Sequence, residues 1–281
     1  MVTRFAQIDP SSGAFSPPLE ALRTYAPRIG VPFLEAFRVQ HGPPGLLGRF
    51  FLSADTRLRE RGLTLRFISL EDLQAVRRAN SANWGSTNPM FDPQMAEISP
   101  GTMCLAGYDK LGVVQACICA KPFDAASRSL AAVFNTGGFF SIRPDLNVNR
   151  LATSLEVAAA EQMFGLVGYC AAVWVSPAWR GGRLAAMFAN LMYACIYTLW
   201  NPSYVIGFVP LAKQGSALHQ RYNLPHASPS MRVTSGDKVL DELVLIWMTA
   251  DETIDALRVF LDEIWPQIDT AISAGDRQQS A

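Results

Sequence analysis

Apolar and polar positions change their spacing several times along the chain. Leu63 to Ile68 alternate, the period of a half-buried strand. Ser69-Leu-Glu-Asp72 follows as a capping box and leads into Leu73, Val76 and Ala79 at helical spacing. Asn80 to Pro93 is polar, aromatic and irregular, a loop of the kind that carries substrate contacts or simply faces solvent. Thr102–Tyr108 and Val113–Ala120 read as strands joined by the hairpin turn Asp109-Lys-Leu-Gly112. A third strand is expected at Leu130–Asn135, then a mobile connection over Ser141–Arg150. Leu151–Phe164 has the composition of a helix, with Glu156 and Glu161 its only charges.

The stretch from Gly168 to Trp200 organises the rest. Its apolar, β-prone run Ala171–Val175 breaks at Ser176-Pro177, turns through Gly181-Gly182 between Arg180 and Arg183, and continues as a long helical segment. A strand, a glycine turn bearing arginines and a helix start together form a device for holding phosphate. The first helical N–H groups lack intrahelical partners, and the helix dipole favours an anion there. Leu184 to Ala212 carries no charge and is long enough to suggest a membrane span. Asn190, Asn201, Pro202 and Ser203 interrupt it, so it reads instead as a buried helix followed by a strand, Tyr204–Val209.

The ends are simpler. Residues 1–61 are rich in Pro and Gly, with short helical patterns at Leu19–Tyr25 and Phe33–Val39, a break at Gly42-Pro-Pro-Gly45 and a partly amphipathic run to Arg61. They are expected to form an N-terminal helical extension packed on a main domain over 62–250, or a cap over its site. A strand at Leu240–Met248, a capped helix from Thr249 to about Trp265 and a polar tail close the chain, with 251–281 as a C-terminal segment.

Composition narrows the classes. A chain of 281 residues, 49% hydrophobic and 17% charged, has the makings of a large interior. Zero formal net charge leaves no basic excess for a nucleic-acid partner. The five cysteines are odd in number and lie in apolar runs, the pattern of reduced core thiols. Cys117-x-Cys119 would share one strand face, yet three histidines and no second cysteine pair give no metal set. The N-terminus carries Asp9 and Pro10 where a signal peptide would be apolar, so a cytoplasmic protein is expected.

WVSPAWRGGRLAAMF resembles the acyl-CoA-binding motif of the GNAT superfamily of N-acyltransferases, Arg/Gln-x-x-Gly-x-Gly/Ala after a strand ending near proline. Arg180, Gly181, Leu184 and Ala185 fit it; Arg183 stands where the family has glycine, with Gly182 one place earlier. The succession of strand, capped helix, antiparallel meander, motif and strand is the family's order. The resemblance implies an α/β (α+β) fold, with a mixed, mostly antiparallel central sheet flanked by helices and a splayed parallel strand pair at the acyl-CoA site. It implies transfer of an acetyl or longer acyl group from acyl-CoA to an amine of a small molecule or protein, with no metal. Val173 and Val175 would offer strand backbone to the pantetheine arm. The amides of Arg180, Gly181, Gly182, Arg183, Leu184 and Ala185 would cradle the pyrophosphate. Arg180 and Arg183 would add charge, unless the Arg183 side chain obstructs the cradle.

Gln214–Leu224 resembles the family's last landmark, Phe-Tyr-x-Lys-x-Gly-Phe, with Arg221, Asn223 and Leu224 in the Lys, Gly and Phe places. His219 falls where the family's tyrosine serves as general acid, and Tyr222 is the second candidate for that role. Glu156 and Glu161 are candidates for general base or are solvated helix charges. Two other readings remain open. One is a non-catalytic acyl-CoA or small-molecule binding module of the same fold. The other is an acyl-carrier-protein-dependent synthase of the N-acyl amino acid or autoinducer type, with Phe134, Phe139, Phe140 and Phe164 lining an acyl tunnel instead of filling the core.

Overall fold

A computed structural model describes residues 22, 24, 26–84, 89–96, 98–135, 151–154, 157–181, 183–211, 222–235 and 238–264. In chain order its elements begin with α1 (Phe33–Ala36), α2 (Pro44–Glu60), β1 (Thr64–Ile68), α3 (Leu70–Ala79) and α4 (Ser81–Trp84). Next come β2 (Met103–Tyr108), β3 (Val114–Ala125), α5 (Leu130–Asn135), β4 (Leu151–Ser154) and α6 (Ala158–Glu161). The motif follows as β5 (Gly165–Val175) and α7 (Leu184–Trp200), then β6 (Tyr204–Pro210), β7 (His226–Ser235), β8 (Lys238–Thr249) and α8 (Ala250–Val259). The strands form one sheet in the order β1-β2-β3-β5-β6-β8-β7-β4. Every pairing among them is antiparallel except that of β5 with β6.

Local signals placed several of these elements. The Ser69 hydroxyl accepts from the Asp72 amide at 3.0 Å, and the Asp72 carboxylate accepts from the Ser69 amide, so the expected capping box starts α3. At Asp109, one carboxylate oxygen accepts from the amides of Leu111 and Val113, each at 2.9 Å, which closes the turn between β2 and β3. Elsewhere, tertiary context overrode the pattern. Leu130–Asn135 is helical and not a strand: the Ser129 hydroxyl accepts from the Ala132 amide and the Ser129 carbonyl from that of Val133, so a cap and two alanines prevail over β-branched Val133. The expected helix over Leu151–Phe164 is β4 followed by a single turn, α6. Residues 151–154 complete the edge of the sheet by pairing with Arg232–Ser235, and those ladder bonds outweigh alanine-rich helix propensity. β7 was not expected at all; Pro229 hides it, sitting where the register with β8 slips between Ala227 and Ser230.

α2, α7 and α8 cover one face of the sheet. Every residue of α7 except Ala185 and Tyr197 is buried, which accounts for its uncharged sequence: the sheet lies below it and α2 and α8 lie against it. A Cβ at Gly168 would collide with the Ile196 side chain, so glycine there lets α7 lie close on β5. α7 ends at Asn201 in the left-handed conformation, with φ 48°. The uncharged run therefore divides into helix and strand, and no described helix is long and apolar enough to cross a membrane. On the opposite face an aromatic layer that includes Phe91, Tyr169 and Phe134 packs with α3, α5 and α6.

Candidate functional site

β5 has two unlike edges. Along one it pairs with β3 over its whole length, from Gly165 opposite Ala125 to Val175 opposite Ala116. Along the other it pairs with β6 only at Val167, Gly168 and Tyr169. β6 meanwhile stays with β8 as far as Pro210. Beyond Tyr169 and Ile206 the sheet therefore opens as a V. Burial follows the same divide: Leu166 to Cys170 are buried, whereas Ala171, Ala172, Val173 and Val175 are half-buried.

A bulge lies where the V opens. Cys119 faces Ala171 but Cys117 faces Trp174, so Ala172 and Val173 oppose the single residue Ile118. Ala172 has φ 54°, a left-handed conformation that costs an L-residue about 1 kcal/mol. The slip is visible in the packing. Ala171 and Ala172 both lie on the aromatic face, after which Val173 and Val175 face α7 and Trp174 the aromatic side.

The chain then turns to the start of α7. Gly181 has φ 99°, which glycine adopts freely, and a Cβ there would meet nothing within 4 Å. Arg183 is the N-cap residue with φ 54°; it is exposed, and no described side chain caps the helix. No acidic residue lies in the first turn. The first N–H groups of an α-helix lack intrahelical partners, and the helix dipole adds partial positive charge at this end. The Arg180 guanidinium donates to the Val175 carbonyl and to that of Asn83, both at 3.1 Å. It thus ties the end of β5 to α4. Trp84 of α4 in turn stacks on Trp174, ring centroids 5.0 Å apart.

Tyr222 lies on the α7 side of the sheet, half-buried against the same apolar cluster as Val173 and Val175. Burial pushes the Tyr193 hydroxyl well up, and the neighbouring Cys170 thiol and Tyr222 hydroxyl push it further. Burial also raises Cys117, Cys119, Cys170 and Cys195, which keeps them as protonated core thiols. Gly182, His219, Arg221, Glu156, Phe139 and Phe140 lie outside the described residues. Glu161 is exposed at the end of α6. Phe134 is fully buried with its ring against Phe208, and Phe164 is on the surface, so these two do not line a common space.

One polar pair escaped the sequence reading. His226 Nε2 lies 2.7 Å from Glu252 Oε1, and the imidazole stacks on Trp247. Glu252 was legible as a cap, but its partner stands on the unexpected strand β7. The pair is level with Ile206, at the closed end of the V and two strands away.

No protein-family model and no curated protein matches the chain. Among solved structures, it is similar to NAA60 of Arabidopsis thaliana in complex with acetyl-CoA. Identity is 12%, over 67% of this chain and 99% of that one, with a TM-score of 0.44. It is also similar to mutant forms of the spermidine/spermine N-acetyltransferase SpeG from Vibrio cholerae. There the identity is 8%, over 69% and 98% of the two chains, with a TM-score of 0.41. The chain's own topology, a mixed and mostly antiparallel sheet flanked by helices and opened at one parallel pair, is the fold that the GNAT resemblance implies.

Proposed function

We propose that this protein is a GNAT-type N-acyltransferase that moves an acetyl or longer acyl group from acyl-CoA to an amine. The observation that carries this reading is the parting of β5 from β6 directly upstream of a helix start left uncapped. Backbone groups of β5 from Ala171 to Val175 no longer have β6 opposite them, and they offer hydrogen bonds to the amides of a pantetheine arm. The first-turn amides of α7 suit the pyrophosphate. Arg183 has a left-handed backbone, and its exposed guanidinium adds a charge-assisted contact at the same end.

The reaction then needs a proton donor. The amine nitrogen bonds to the acyl carbon, the C–S bond breaks, and its electron pair goes to sulfur. The Tyr222 hydroxyl gives the sulfur a proton, and the proton lost by the nitrogen returns through water to the phenolate. Tyr222 takes this role because it packs on the α7 side of the sheet, in the same apolar cluster as Val173 and Val175 of the open part of β5. His219 is the competing donor.

Thermal unfolding with acetyl-CoA, longer acyl-CoAs and free CoA tests the donor site. A ligand at 100 times its Kd adds about 2.7 kcal/mol of stability, a plain rise in Tm. The order of the shifts ranks acyl length. Release of CoA in the presence of free amino acids, polyamines, peptides and hydroxylamine then tests turnover. Tyr222→Phe is expected to slow it by about 100-fold, the lower end for loss of a general acid, and His219→Ala far less. No rise in Tm with any CoA species would remove the assignment. A rise without turnover would leave a binding module.

A further inference from the structure

Asn190 is the seventh residue of α7 and fully buried, an amide in a helix whose other buried residues are almost all apolar. Asparagine is a poor helix former, and a buried amide is tolerated only where its hydrogen bonds are made. Both ends are satisfied here. Nδ2 donates to the Ala186 carbonyl one turn back at 2.9 Å, and Oδ1 accepts from Asn223 Nδ2 at 3.3 Å. The first bond stays within the helix; the second reaches the segment leading into β7.

That segment suits the bond. Asn223 has φ 58°, the left-handed region that asparagine tolerates better than most residues. Its neighbours Tyr222 and Leu224 both pack on the apolar cluster around α7, Leu224 almost completely buried. Tyr222 is thereby held against α7, in the apolar cluster to which Val173 and Val175 of the open part of β5 also belong. A leucine at position 190 would pack as well and favour the helix more, yet it would leave the segment without this anchor.

We infer that Asn190 is a positioning residue: by holding Asn223 it fixes Tyr222 in the apolar cluster that it shares with Val173 and Val175 of the open part of β5. The inference rests on the acyl-transfer reading above. It is tested with Asn190→Leu and Asn223→Gly, which respectively keep apolar packing and the left-handed backbone. Each should raise amide hydrogen exchange over Tyr222–Leu224 at least tenfold while leaving exchange in the middle of α7 unchanged. With acetyl-CoA and hydroxylamine as probes, each should slow CoA release about tenfold without altering KM for acetyl-CoA. The double variant should be no slower than either single one, and neither substitution should slow Tyr222→Phe further.

Unchanged exchange over Tyr222–Leu224 would overturn the clamp, as would an equal loss of rate in the Tyr222→Phe background. If Tyr222→Phe released CoA at the wild-type rate, the donor assignment of the preceding section would fall, and Asn190 would lose its role in positioning a donor.

Discussion

α7 and α8 each begin beyond the end of a strand of the same sheet, and their first turns are built in opposite ways. At α8 the Thr249 hydroxyl accepts from the Glu252 amide at 3.3 Å, and the Glu252 carboxylate accepts from the Thr249 amide at 2.8 Å. His226 holds the second oxygen of that carboxylate, and Asp251 adds another acid to the turn. At α7 a left-handed Arg183 takes the N-cap place, with no side-chain cap and no acid in the turn. α2 solves the problem differently, with Pro44 removing one of the orphan donors. The chain can thus close a helix start with its own side chains, and at α7 no described side chain does so. That start lies at the end of the strand that parts from its neighbour, so, among the described residues, an uncapped helix start and a strand edge without β6 opposite it meet in one place.

The largest effect should come from giving α7 the charge that α8 has. Ala185→Glu places a carboxylate in the first turn, where it complements the dipole and competes with a pyrophosphate. The ligand-free protein should keep or slightly raise its Tm, while the acetyl-CoA Kd measured by titration calorimetry rises about 30-fold, or about 2 kcal/mol. An unchanged Kd would place the ligand elsewhere. Opening α8 is the reverse experiment. Thr249→Ala removes the cap, costs about 1 kcal/mol and lowers Tm by about 2–4 °C. Acetyl-CoA affinity should not change, since that helix start is already filled from within.

The smallest effect concerns pH. Burial would raise the Glu252 carboxyl, but the Thr249 amide and hydroxyl and the His226 ring outweigh it and hold the group below its ordinary value. A lowered folded-state pKa means that the stabilisation is present above the unfolded value of about 4.3 and is lost as pH falls through the folded one. Glu252 is more than a third exposed, so solvent screening keeps the contribution small. The Tm difference between wild type and Glu252→Gln should shrink as pH is lowered from 6 to 3. A difference that stayed constant would show that the carboxylate charge plays no part.

What the sequence disclosed, and what it did not, follows from where each signal resides. The capping boxes at Ser69 and Thr249 and the turn at Asp109 are written within four or five consecutive residues, so they were legible. The uncharged run after Arg183 was also legible, because Asn201-Pro202 divides it. Residues 151–154 and 226–235 were not, since β4 and β7 are strands only through each other and β8, and neither alternates cleanly on its own. The bulge at Ala172 was hidden for a similar reason: consecutive alanines do not show which face each occupies. Tyr222 was named only as the second candidate, three residues after His219. The bond from Asn190 that anchors its neighbour needed the fold, because 33 residues separate the two asparagines.

Amide hydrogen exchange with and without acetyl-CoA tests the central claim most directly. Protection is expected in two separated segments at once, the first turn of α7 at Leu184–Ala186 and the open part of β5 at Ala171–Val175. The capped start of α8 should not change. Protection confined to other parts of the sheet, or none at concentrations that raise Tm, would show that the V and the α7 start are not where the coenzyme lies.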